Sequence, residues 1–250
     1  METVKEKTRY HLIDAYRGFT ILLMIGYHFS YDVFILYGKY PGWLDNPLGY
    51  VWQQFICISF IFISGFSASF SQSHVKRGIL LNICGLIVTV VTRVASPSAV
   101  VYFGVLNLLG CSLLLLIPAK KMINQKNWPF AAAISLFLFF FTRHIQLGYL
   151  GFGKMELITM PSGMYHTKIL TPFGFPYPGF FSSDDFPILP WFFLFLTGYA
   201  FHYILKMESA KKIRKIMKVK VPFLSWLGRQ SLLIYLLHQP VLMGICMVLF

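Results

Sequence analysis

Seven stretches of this chain are apolar for long enough to cross about 30 Å of hydrocarbon. They cover roughly residues 17–37, 50–70, 78–95, 100–117, 128–142, 187–205 and 223–250. Inside a bilayer every backbone N–H and C=O has to be satisfied within its own segment or in a closed barrel, so isolated stretches of this length are helices. The composition agrees: 56% of the 250 residues are hydrophobic and 12% are charged, against about 25% charged in a soluble domain. The expected fold is all-α, a polytopic integral membrane helical bundle of about seven transmembrane helices, in one domain over residues 1–250. The fifth stretch is short unless it continues past Arg143.

The charges give the bundle an orientation. With the N-terminus cytoplasmic, 17 of the 22 basic residues fall in inner segments, and Lys39, Arg93, Arg143, Lys154 and Lys168 fall outside. That is the bias of the positive-inside rule. The net charge of +13 is thereby explained as topogenic, and with no recognition module present nucleic acid is not an expected partner. Met1 to His11 is charged and lacks the short apolar core of a cleavable signal peptide, so the first span is read as a signal anchor. Lys206 to Lys220 places Met207, Ala210, Ile213 and Met217 near helical spacing beneath a basic face, the pattern of an interfacial helix on anionic membrane lipid.

Cys57, Cys84, Cys111 and Cys246 all lie inside apolar runs without Cys-x-x-Cys spacing, which implies small buried residues and neither a disulfide framework nor a metal site. The segment from Thr142 to Phe186 is rich in Gly, Pro, Ser and aromatics. Turn chemistry dominates it. Its aromatic faces suit either sugar rings or a membrane-interface belt.

The first span keeps ionisable groups. At 100° per residue Asp14, Arg17, His28 and Asp32 fall within one sector about 60° wide. His28 lies about 16 Å deeper than Arg17 at 1.5 Å per residue, near the bilayer midplane, and Asp32 follows it by one helical turn. Ionisable side chains at that depth face a polar cavity or a partner. A carboxylate on one imidazole nitrogen fixes the tautomer and leaves the other nitrogen as a general base. The plainer reading makes Arg17 a snorkelling anchor paired with Asp14, and His28 with Asp32 a polar pair joining helices. The last span carries His238 two residues before Pro240, which frees the carbonyl of Leu236 and is expected to bend the helix. The remaining histidines lie in loops or near span ends and show no metal-ligand spacing.

Arg17-Gly18 followed by His28 resembles the first-helix motif of membrane acyltransferases. A larger set of blocks resembles the DUF1624 family, the catalytic domain of heparan-α-glucosaminide N-acetyltransferase. These are Asp14-Ala15-Tyr16-Arg17-Gly18, Met24 to Asp32, Phe60-Ile61-Phe62-Ile63-Ser64-Gly65, Phe103 to Gly110, Asp185 to Trp191 and Leu227 to Pro240. They occur in family order over nearly the whole chain. The chain departs from the family in three respects. It is shorter than many relatives. It has no histidine near Lys39 to Trp43, where the heparan enzyme carries its proposed catalytic one, and Asn107 stands where relatives often carry histidine.

The resemblance implies acyl transfer from cytosolic acetyl-CoA (acyl-CoA) to a carbohydrate acceptor beyond the membrane, with no metal. CoA phosphates would dock among Arg17, Lys76, Arg77 and Arg229. His28, oriented by Asp32, would act as general base or transient acyl carrier. His238 or Asn107 would serve the oxyanion, and Asp185 and Trp191 would hold the acceptor. A bacterial plasma membrane is the expected location, and a homo-oligomer is compatible with these features. The rival class is a non-enzymatic transporter or glycan-export partner with the polar stripe lining its pathway. Proton-coupled carriers usually need several intramembrane carboxylates, and Asp32 is the one found within a span.

Overall fold

The computed structural model describes residues 9–40, 42 and 46–250; Lys5, Lys7 and Trp43 lie outside them. Its helices are α1 (His11–Tyr31), α2 (Pro47–Ala68), α3 (His74–Ala95), α4 (Val105–Met122) and α5 (Trp128–Phe141). They are followed by α6 (Ile188–Lys206), α7 (Lys211–Ile216), α8 (Pro222–Arg229) and α9 (Ser231–Leu249). Seven helical spans are long and apolar enough to cross a membrane, in the order expected. The first includes a π-helical turn, Asp32–Leu36, that continues α1 without a break. The fifth does extend past Arg143, as Trp128–Leu147, through a short 3₁₀ turn.

The outward faces of these helices are apolar. In the most hydrophobic window of α3, and again in that of α9, only 11% of the residues are buried. On α3, Leu80, Leu86, Val90 and Val94 are all more than half exposed. A surface of that kind is stable against lipid tails and would aggregate in water. The protein is an integral membrane protein.

Two compact units make up the chain. One comprises the described residues up to Phe60 together with Leu205–Phe250, and the other Ile61–Ile204. In the first, α1 packs on α8 and α9. The two ends of this unit are tied where the Leu12 N–H donates to the Met217 carbonyl at 3.1 Å and the Ser225 hydroxyl donates to the His11 carbonyl at 3.2 Å. In the second, α3 packs on α4, and α2 meets α6 through two glycines. A Cβ on Gly65 would collide with the Phe195 carbonyl, and one on Gly198 with the Phe62 carbonyl. Such small-residue crossings are how helices approach closely in lipid, where no hydrophobic force pulls them together.

The structure corrects three expectations. Residues 223–250 are not one helix: the backbone leaves helical geometry at Gln230 (φ −91°, ψ 13°) and separates α8 from α9. α9 then runs on through Pro240. The basic stretch Lys206 to Lys220 is an α-helix only over Lys211–Ile216. There Arg214 turns inward, donating to the carbonyls of Leu205 at 2.6 Å and Met207 at 2.8 Å, and so satisfies groups that the end of α6 leaves open. Finally, the Gly-rich segment from Thr142 to Phe186 contains an antiparallel hairpin, β1 (Tyr149–Phe152) with β2 (Met155–Thr159), its register shifted between Leu150 and Gly151.

Candidate functional site

The first unit gathers the polar residues of α1 and α9 into one cluster. His28 and His238 meet ring to ring, with centroids 4.8 Å apart and planes 62° apart. Next to them the Asp32 carboxylate, 0% exposed, accepts from the Gln239 side-chain amide at 2.9 Å on one oxygen and 3.2 Å on the other. The pairing therefore differs from the one expected from helical spacing, in which Asp32 would face His28. The α-helical phase holds as far as Asp32, whose N–H donates to the His28 and Phe29 carbonyls, so the partner is decided by the donor that α9 offers and not by a change of backbone phase. Its carboxylate turns to Gln239, while His28 is left to His238.

Gln239 was not among the residues singled out from the sequence. The available signal was a second polar side chain beside His238 in an apolar span. Replacing Gln239 with leucine leaves a fully buried carboxylate without its donor, and a group stranded in this way costs roughly 1–3 kcal/mol or more. Gln239→Leu is therefore expected to lower the unfolding midpoint in detergent, and adding Asp32→Asn to it is expected to recover much of the loss. Equal midpoints for wild type and Gln239→Leu would show that this pair does not support the fold.

His238 has its tautomer set by the backbone. Its Nδ1 lies 2.6 Å from the Tyr235 carbonyl oxygen, which can only accept, so Nδ1 carries the proton. Its Nε2 is buried and has no hydrogen-bond partner among the described residues. A neutral His238 consequently offers a lone pair at Nε2 and no proton for an oxyanion.

At the start of α1, Asp14 accepts from Arg9 at 2.9 Å and lies 3.9 Å from Arg17, so Arg17 takes the expected i,i+3 partner. Arg229 ends α8 and is exposed. Its neighbour Gly228 is pressed against the backbone of Asp14 and Gly18, which places Arg17 and Arg229 beside the same helix crossing.

In the second unit, Lys76 and Arg77 are exposed in the first turn of α3. The Asn107 side chain covers Gly85 of α3, as Asn82 covers Gly110 of α4. These are packing amides at the α3–α4 crossing. Trp191 is 5% exposed, enclosed by Phe139 and Phe186 and covered by the Arg143 guanidinium 4.5 Å above its ring. It has no open face for a sugar. Asp185 is half-buried and accepts from Gln146 at 2.6 Å, while its other oxygen is buried without a partner. Burial pushes its carboxyl up to about 6, with the Asp184 charge adding to the rise and the Gln146 hydrogen bond opposing it.

What these features define is a membrane-embedded helical protein with a half-buried imidazole pair and a shielded carboxylate inside its spans. The family model for heparan-alpha-glucosaminide N-acetyltransferase, catalytic, matches residues 9–240, and the chain belongs to that family. It is accordingly a membrane enzyme of acetyltransferase type. No curated protein and no solved structure matches the chain.

Proposed function

We propose that the protein transfers an acetyl group from cytosolic acetyl-CoA to a hydroxyl or amine of an extracytoplasmic carbohydrate, in a bacterial plasma membrane with its N-terminus cytoplasmic. The observation that carries this reading is the contact of His28 with His238 inside the spans of a chain of this family. An imidazole that is neither charged nor tied up in packing is the side chain suited to taking a proton near neutral pH. His28 has one face on His238 and makes no side-chain hydrogen bond among the described residues, and it is the group we assign as general base or transient acyl carrier. The basic residues beside the α1–α8 crossing, Arg17 and Arg229, suit the phosphates of CoA, charge against charge. Asp185, with one buried oxygen unpartnered, suits a hydroxyl or amine of the acceptor.

Acetyl-CoA is expected to bind the detergent-solubilised protein saturably, measured by titration calorimetry or by retention of labelled ligand, and binding is expected to weaken in Arg17→Ala and Arg229→Ala. Absence of binding would remove the donor from this reading and leave the transport alternative, in which the polar stripe lines a pathway.

A further inference from the structure

One donor and one acceptor in the α1–α9 cluster lack partners, and they are neighbours. The acceptor is His238 Nε2, left with its lone pair because Nδ1 donates to the Tyr235 carbonyl at 2.6 Å, and buried without a partner. The donor belongs to His28. Its neutral imidazole carries one N–H, and no described side chain or backbone group accepts it. The Asp32 carboxylate, which would ordinarily take that proton, already receives the Gln239 amide on both oxygens. The remaining unpartnered acceptor here, Gln239 Oε1, belongs to the amide whose nitrogen is held on Asp32. The two rings are 4.8 Å apart between centroids and inclined at 62°, so the His238 lone pair lies on the ring that faces His28.

We propose that His238 is the positioning residue for His28. Its Nε2 accepts the His28 ring proton and thereby fixes which His28 nitrogen keeps a lone pair for the acceptor substrate. The proposal rests on the acetyltransferase reading above and divides the labour within it. The free His28 nitrogen takes the proton of the acceptor hydroxyl or amine as that oxygen or nitrogen attacks the thioester carbonyl. The carbonyl carbon–sulfur bond then breaks, and the proton passes from the His28 imidazolium to the departing CoA sulfur. An acetylated acceptor and CoA thiol result, with both histidines restored. His238 stays neutral throughout and holds the orientation of its neighbour, the part a carboxylate plays in a serine-hydrolase triad. The hydrogen bonds of the Asp32 carboxylate run instead to Gln239.

The test has a spectroscopic arm and a kinetic arm on the full chain in lipid nanodiscs. With ¹⁵N-labelled histidine, the His238 signals, assigned by their loss in His238→Leu, are expected to report a protonated Nδ1 and an unprotonated Nε2. A protonated Nε2 would overturn the proposal whatever the activity. Kinetically, His238→Leu is expected to reduce kcat about 100-fold or more while the KM for acetyl-CoA stays within about threefold, in the range measured when a base loses its orienting partner. His238→Gln, which restores an acceptor oxygen at similar reach, is expected to recover at least about tenfold of that loss, which a purely packing role does not predict. Wild-type kcat in a folded His238→Leu protein would also overturn the proposal. Failure of the wild type to acetylate any carbohydrate from acetyl-CoA would instead overturn the acetyltransferase reading, and the tautomer measurement would still decide the ring pair.

Discussion

Replacing His28 with alanine is expected to abolish acetyl-CoA-dependent acetylation in vesicles carrying the protein, with expression and membrane insertion unchanged. The expected size follows from what general acid–base groups contribute, about 10²–10⁴ in rate. A covalent role would make the loss more complete, because no acyl carrier would remain. The structural cost of the change is small for a residue at this depth. His28 makes no side-chain hydrogen bond among the described residues, and its contacts are ring contacts with Tyr27 and His238 at centroid distances of 6.0 Å and 4.8 Å. Truncation therefore strands no ion. Measuring acetyl transfer together with the thermal midpoint separates a chemical loss from a folding loss. Persistent transfer by a well-folded His28→Ala protein would remove His28 from the reaction and return weight to a pathway-lining role for the stripe. His28→Asn is a useful companion, since it keeps a polar group in place without a base of comparable strength.

The spans were legible because hydrocarbon leaves the backbone few alternatives. Length and hydropathy alone place all seven. The break at Gln230 was not legible in the same way. The run from Phe223 onward is apolar enough overall to read as one span, and hydropathy alone passes over the polar stretch Arg229-Gln230-Ser231, where α8 ends and α9 begins. The His28–Asp32 pair shows the limit most clearly. A helical wheel covers one helix only: the α-helical phase from His28 to Asp32 is kept, with the Asp32 N–H on the His28 carbonyl, but the donor that takes the carboxylate comes from another helix. The wheel thus identified the correct buried carboxylate and assigned it the wrong partner. Gln239, 207 positions away, carries no charge and matches no motif, so pattern reasoning passed over it beside the more conspicuous His238. Trp191 and Asn107 show packing that residue type alone does not reveal. Their residue types suggested sugar stacking and oxyanion binding, but burial among Phe139, Phe186 and Arg143, and packing over Gly85, occupy those side chains.

Gly228→Val is expected to be among the most damaging single substitutions for the fold, although it adds only three carbon atoms far from the imidazoles. At the α1–α8 crossing the two backbones touch through a reciprocal pair of glycines. A Cβ on Gly228 would collide with the Asp14 carbonyl oxygen and come within 3.0 Å of the Gly18 nitrogen, and one on Gly18 would collide with the Leu224 carbonyl oxygen and come within 3.0 Å of the Gly228 nitrogen. Backbone cannot rotate aside as a side chain can, so the helices have to separate, and overpacking that moves backbone costs about 1–3 kcal/mol, occasionally more. A close crossing in lipid is held by van der Waals contact over its whole length, so separation also forfeits the neighbouring contacts. The consequence reaches the chemistry because α1 carries His28 and Asp32, while α8 leads through Gln230 directly into α9 with His238 and Gln239. Gly228→Val is therefore expected to lower both the thermal midpoint and the folded yield, with activity in the surviving fraction reduced as well. Gly244→Ala on α9 is the control: nothing lies within 4 Å of the added carbon, and its effect is expected to stay within about 0.5 kcal/mol. Fluorescence-detected size exclusion with a melting series measures both variants. Equal midpoints for Gly228→Val and Gly244→Ala would mean that α1 and α8 do not meet at this distance, and that the imidazole pair is held together by something other than this crossing.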